Sequence, residues 1–214
     1  WENPPEPYKK CGGPVLPLPP PQRDDGTPLW EVLSKRRSLR DYSEEPVTKG
    51  ELSQLLWAAQ GISGEIDGYP VRTAPSAGAL YPIETYLVAN LVEGIEGGIY
   101  HYLAREHALE LLRRGDFRRE IAAAALDQEM CAKAGAVFLW TAVLHRTKWK
   151  YGERGYRYIY KDAAHICQNL YLAATALGLG CCAIGACYDD EVNTLLGIDG
   201  EGETAVYLAS VGRI

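Results

Sequence analysis

Three guanidiniums and a hydroxyl fall within five residues at Arg36, Arg37, Ser38 and Arg40. Like charges packed so closely repel one another, and fanned arginine donors suit phosphate oxygens, with serine as a further donor. The plainer alternative is a solvated basic turn balanced by Asp41, Glu44 and Glu45. A second cluster, Pro75-Ser76-Ala77-Gly78-Ala79, sets small residues in a row. Small side chains let a planar ligand approach the backbone closely, although the same run would serve as a tight loop feeding a strand. A third small-residue segment, Ala183-Ile184-Gly185-Ala186, follows a predicted strand. In the fourth cluster Lys150 and Tyr151 stand among Trp149, Arg154, Tyr156, Arg157, Tyr158 and Tyr160. Aromatic neighbours strip water from a lysine and favour its neutral form, which makes it a usable base with tyrosine as acid or hydrogen-bond donor. The competing reading is a solvent-facing aromatic loop.

Other chemistries lack their residues. His101, His107, His145 and His165 show no metal-ligand spacing, and no Gly-x-Ser-x-Gly elbow supports a hydrolase. Gly178-x-Gly180 is not a dinucleotide fingerprint, because it closes a helix instead of opening one and Ala183 replaces the third glycine. No phosphate loop of the Walker type is present. Six cysteines without a Cys-x-x-Cys pair read as reduced thiols of a cytoplasmic protein. With 22 basic against 28 acidic residues the net charge is -6, which repels nucleic acid. The uncharged stretch from Leu170 to Cys187 is broken by three glycines and is not read as a membrane span, and no leader pattern is seen.

The elements that must position these clusters follow from periodicity. At 214 residues, 47% hydrophobic and 23% charged, the chain suits one folded domain. Residues 1–26 are proline-dense and read as an extended arm, in solvent or along a neighbouring subunit, and 27–214 as the folded domain. Thr27-Pro28 predicts a helix start, and Thr48-Lys-Gly-Glu51 matches a capping box before a helix that ends near Gly61. Thr85–Leu91, Gly98–Leu103 and His107–Leu112 read as strands, and Asp116 begins an alanine-rich helix reaching about Gln128. Ala136–Leu144 is apolar throughout and belongs in mid-sheet. Apolar residues at steps of three and four predict a helix over Arg157–Leu177, buried nearly all round with a subunit interface covering part of it. A strand at Cys181–Gly185, a helix at Asp189–Leu196 and a last strand at Thr204–Val211 complete an α+β domain.

The ordered motifs Arg36-Arg37-Ser38-x-Arg40, Pro75-Ser76-Ala77-Gly78-Ala79-Leu80-Tyr81-Pro82-Ile83-Glu84, Asp162-Ala-Ala-His165-x-x-Gln168-Asn169-Leu170 and Gly178-Leu-Gly180 resemble the nitroreductase superfamily. Within it the match is similar to the SagB-type (ThcOx) dehydrogenases and covers about Trp30 to Arg213. Ala164 stands where such proteins often carry glycine. The resemblance implies a mixed sheet flanked by helices, a domain-sharing homodimer, and FMN held at each subunit junction. It implies that Arg36, Arg37, Ser38 and Arg40 hold the flavin phosphate and pyrimidine edge, with Arg213 adding a phosphate contact. Pro75, Ser76, Ala77 and Gly78 would line the isoalloxazine, and the Ala183-Ile184-Gly185 backbone would face N5. Lys150 and Tyr151 resemble the pair such enzymes use to oxidise azoline rings on peptides. The alternatives are an NAD(P)H-driven reductase of nitroaromatics or quinones, and a scaffold subunit of a peptide-modifying complex.

Overall fold

A computed structural model describes residues 5–24 and 26–214. In chain order its elements are β1 (Val15–Pro17), α1 (Leu29–Lys35), α2 (Lys49–Gln60), β2 (Ile62–Ile66), β3 (Tyr69–Arg72), β4 (Ile83–Ala89), β5 (Gly98–Leu103), β6 (Ala108–Arg114), α3 (Arg118–Ala124), α4 (Glu129–Lys133), β7 (Ala136–Val143), α5 (His145–Tyr151), α6 (Gly155–Ala176), β8 (Leu179–Ile184), α7 (Asp189–Leu196) and β9 (Glu203–Arg213). Seven strands form one sheet in the order β1-β6-β5-β4-β7-β9-β8, and β2 and β3 make a separate hairpin. The α+β class with helices flanking a sheet is as expected, while the pairings in the large sheet are antiparallel where a mixed sheet was expected.

The apolar run of β7 explains its place between β4 and β9, since a strand buried on both faces needs a layer above and below. Its side chains alternate between two cores. Phe138 and Trp140 pack beneath α2 and α6, and Val137 and Leu139 pack with residues of α3, α4 and α7. The capping box forms as expected: Glu51 N donates to Thr48 Oγ1 at 3.1 Å, and Thr48 N donates to Glu51 Oε2 at 2.9 Å. Thr27 does not cap α1; its hydroxyl donates to Ala176 O at 3.1 Å and satisfies a carbonyl at the end of α6. The alanine-rich helix stops at Ala124, where Leu126 and Asp127 turn with positive φ before α4.

Two further expectations change. The proline-rich arm packs on its own chain: Val15–Pro17 add an edge strand to β6, and Leu111 N donates to Pro14 O at 2.8 Å. An edge tolerates proline because half of its backbone groups have no ladder partner to lose. The long helix α6 is not buried all round within this chain. Ile159, Ala163, Ile166, Leu170 and Ala174 face the core, whereas Tyr160 is 61% exposed and Tyr156 and His165 stand beside it in solvent. No helix among the described residues is long and apolar enough to cross a membrane.

Candidate active site

Helix α6 anchors both halves of the site. Near its start Asp162 is buried, and its Oδ2 accepts from Ser76 Oγ at 2.6 Å while Oδ1 accepts from Ala77 N at 3.2 Å. Ser76 Oγ in turn accepts from Tyr81 N at 2.9 Å, so one carboxylate fixes the whole Pro75–Tyr81 loop. Burial pushes the Asp162 carboxyl above its ordinary value, and its bonds to Ser76 and Ala77 only partly offset that. Gly78 follows at φ +66°, and a Cβ there would lie 2.6 Å from Tyr151 Oη and 3.0 Å from Lys150 Nζ. Glycine is favoured in that left-handed backbone, and any larger residue there would have to displace the ends of both side chains. The sequence clusters at Pro75–Gly78 and Lys150–Tyr151 therefore meet.

Lys150 and Tyr151 stand on α5, not on a loop, and Tyr151 packs edge-on against Tyr158 with ring centroids 4.7 Å apart. The Lys150 side chain is exposed, so the burial expected around it is not supplied by this chain. Rigid support comes from Arg146, one turn earlier on α5. Its Nη1 donates to Glu84 Oε1 at 2.5 Å and its Nε donates to Glu6 O at 2.8 Å.

Farther along α6, Tyr171 organises the second half. Its Oη shares a 2.8 Å hydrogen bond with Ser38 Oγ and accepts from Ala183 N at 2.8 Å. Its ring lies under the Arg36 guanidinium at 5.1 Å. Burial raises the Tyr171 phenol pKa against the pull of those two bonds, so it stays protonated. The loop beyond is stitched to β8 by Leu39 N donating to Cys181 O at 3.0 Å. Tyr42 presses on Gly180 and Gly212, where a Cβ would lie 3.0 Å and 2.8 Å from its ring. Arg37 Nη1 reaches only the carbonyls of Ser34 and Arg36, and Arg40 Nη1 only that of Ser38. Among the described residues no carboxylate pairs with Arg36, Arg37 or Arg40, so Asp41, Glu44 and Glu45 do not balance the turn.

Arg213 differs from that trio. Its Nη1 and Nη2 clasp Glu51 at 3.0 and 2.8 Å, Nη2 also donates to Pro46 O at 3.3 Å, and the Nε–H has no acceptor among the described residues. Ile184 is buried in β8, whereas Gly185 is exposed just beyond it. Asp162 and Tyr171 were not singled out as site residues. Asp162 lay within a recognised motif, and Tyr171 carried no signal beyond its place on an apolar helix. Nine residues of helix separate them, about 13 Å and two and a half turns, so they address opposite flanks of α6. The chain thus carries two half-sites: Lys150, Tyr151 and Pro75–Gly78 on one flank, and Arg36, Ser38 and Ala183–Gly185 on the other.

A profile of the nitroreductase family matches residues 33–213. MJ1384 of Methanocaldococcus jannaschii, which carries a nitroreductase name, is 42% identical over 185 residues, covering 86% of this chain and 90% of that protein. The trifolitoxin-processing protein TfxB of Rhizobium leguminosarum bv. trifolii is 33% identical over 66% of this chain, which spans only 39% of TfxB. A nitroreductase crystal structure from Anabaena variabilis superposes with a TM-score of 0.77 at 38% identity, covering 86% of this chain and 38% of that one. Two more distant structures share the fold. The Escherichia coli microcin synthetase McbBCD complex, with truncated pro-MccB17 bound, has a TM-score of 0.72 at 22% identity, covering 95% and 79% of the two chains. A Desulfovibrio desulfuricans protein in complex with FMN has 0.60 at 19%, covering 88% and 87%.

Proposed function

The chain belongs to the nitroreductase family and is an oxidoreductase of that family, and from that premise we propose that it is an FMN-dependent dehydrogenase of SagB type, acting as a homodimer on azoline-like rings carried by a peptide. Bound FMN supplies a two-electron carrier that accepts hydride at N5. The residues fit that group in two ways. Arg36, Arg37 and Arg40 are cationic donors with no carboxylate partner among the described residues, which suits a phosphate. The Pro75–Gly78 loop presents small side chains and backbone, and its Gly78 meets Lys150 Nζ and Tyr151 Oη.

In this reading Arg36, Arg37, Ser38 and Arg40 hold the phosphate and pyrimidine edge, and Arg213 contributes its free Nε–H. The Ala183–Ile184–Gly185 backbone faces N5. Because the two half-sites lie on opposite flanks of α6, a second copy of the chain brings its Pro75–Gly78 loop and its Lys150 and Tyr151 to complete each site. The exposed Tyr156 and Tyr160 on α6 lie on the face that such a copy would cover. Lys150 takes the carbon-bound proton of the substrate, and Tyr151 orients that proton or shares it.

The observation that carries this reading is the meeting of Lys150 Nζ and Tyr151 Oη at the glycine of the small-residue loop. The kinship with a trifolitoxin-processing protein supports a peptide substrate. The 42% identity to MJ1384 favours a second reading, a reductase of nitroaromatics or quinones driven by NAD(P)H. Anaerobic mixing of FMN-loaded protein with an azoline-containing peptide separates them. Bleaching of the flavin absorbance by the peptide is expected. Bleaching by NADPH alone, with none from the peptide, replaces the dehydrogenase with the reductase. Protein that contains no flavin and takes up none replaces both with the scaffold.

A further inference from the structure

A second constellation lies where the N-terminal arm crosses the middle of the sheet. His101 on β5 and Glu110 on β6 are direct cross-strand partners, and both are buried. His101 Nε2 is 2.9 Å from Glu84 Oε2, and Glu84 is itself held by Arg146. That carboxylate takes the Nε2–H and leaves Nδ1 facing the other way, toward Glu110 Oε2 at 3.4 Å and Cys11 Sγ at 4.0 Å. An imidazole lone pair, a carboxylate oxygen and a thiol sulfur thus converge, and their ligand atoms all lie within 4.8 Å of one another.

A thiol proton, a proton on Nδ1 or a metal cation can sit between these groups, and only the metal draws on all three ligand atoms at once. The surroundings also resemble the support a metal ligand receives. The Glu84–His101 contact is the carboxylate–histidine pair that orients a ligating imidazole. Glu110 is steered by three backbone N–H donors of the arm: Cys11 N at 2.8 Å to Oε2, and Gly12 N at 2.5 Å and Gly13 N at 2.9 Å to Oε1.

We propose that Cys11, His101 and Glu110 bind one divalent ion of the zinc type and so clasp the N-terminal arm to the sheet. Sulfur, imidazole nitrogen and carboxylate oxygen together suit zinc better than calcium or magnesium, which take oxygen alone. Tetrahedral zinc sets its ligand atoms about 3.3–3.6 Å apart, so the triangle closes with a shift of about 0.5–1 Å in the arm. Three protein ligands leave a fourth position for water, and Cys11 also lines a neighbouring cavity of about 340 Å³. Spacing along the sequence hides the site, because one ligand comes from the arm and two from paired strands.

The test uses the full chain, stripped with a chelator and then dialysed against zinc sulfate. Elemental analysis is expected to find about one zinc per chain, with affinity reduced at least about tenfold in Cys11→Ser, an exposed position whose change leaves the core intact. Zinc is also expected to protect Cys11 from iodoacetamide, read by peptide mass spectrometry, while half-buried Cys187 reacts equally with and without the metal. Glu110→Gln, if it folds, loses zinc as well. Failure to retain zinc, retention unchanged in Cys11→Ser, or an alkylation rate at Cys11 that ignores zinc overturns the proposal. None of these measurements depends on flavin or turnover.

Discussion

Two groups of cationic side chains meet opposite circumstances in this molecule. Beneath the arm, Lys9 Nζ lies 2.5 Å from Glu203 Oε2 and 2.6 Å from Tyr86 Oη, and Arg146 meets Glu84 with both side chains nearly sealed from solvent. At the β8 edge, Arg36, Arg37 and Arg40 find backbone carbonyls and one tyrosine ring. A buried charge left alone is costly by several kcal/mol, so Arg146 has to be neutralised by the chain's own carboxylate, and partly exposed Lys9 is paired in the same way. Exposed arginines are hydrated and screened, and three of them without carboxylates remain available to an anion from outside. The contrast separates charges that hold the fold from charges that await a ligand.

Lys150 sits at the boundary, one turn from Arg146 on α5 yet exposed beside Gly78. If it belongs to the second group, Lys150→Ala leaves the protein folded and loaded with FMN while flavin reduction by an azoline peptide slows by about 10²–10⁴-fold, the usual contribution of a positioned base. Stopped-flow reduction of the flavin reads this directly. Unchanged turnover removes Lys150 from the chemistry and weakens the line between the two groups.

The same substitution made in each group gives the sharpest contrast. Arg146→Ala removes one of the two partners of buried Glu84 and leaves only His101, and unfolding in urea is expected to show a loss of about 1–3 kcal/mol. Arg40→Ala is expected to leave the urea midpoint of the flavin-free protein unchanged and to weaken FMN binding by about 10–100-fold, the worth of one charge-assisted hydrogen bond. Fluorescence titration with FMN measures the second effect. Equal stability losses in both variants, with FMN affinity intact in Arg40→Ala, contradict the division.

What was legible in the sequence follows the same division between local and distant causes. The Thr48–Glu51 capping box and the Asp189–Leu196 helix were readable because their signals lie within one or two turns of chain. β7 was readable from its unbroken apolar run. Helix α5 was missed because His145-Arg-Thr-Lys-Trp-Lys-Tyr151 has no apolar stripe and is held by Arg146 bonds to Glu84 and to the arm. The β2–β3 hairpin was missed because Gly64, Gly68 and Pro70 interrupt any alternation. Arg36, Ser38, Pro75–Gly78 and Lys150 stood out by residue type. Tyr171 and Asp162, which orient them, act across distances of 133 and 86 positions along the chain, and no local pattern encodes such contacts.

Arg213 tests how far the division extends, because it has a carboxylate partner but lies next to the second group. Burial alone would raise the Glu51 carboxyl, yet the Arg213 fork and the bonds from Thr48 outweigh it and hold the pKa below the usual value. A folded-state pKa below the unfolded one adds stability that is fully present above the unfolded value and fades as pH falls through the folded one. Urea midpoints of flavin-free protein are therefore expected to decline on acidification from pH ~5, with a shallower decline in Arg213→Gln because Glu51 then titrates closer to its unfolded value. Thr48→Ala, which removes the cap of α2, is expected to lose about 0.5–2 kcal/mol at neutral pH. If Arg213→Gln keeps the parent's pH slope but loses FMN affinity as Arg40→Ala does, Arg213 works mainly for the ligand and the Glu51 pair is secondary. A flattened slope with little change in FMN affinity instead places it among the charges that hold the fold.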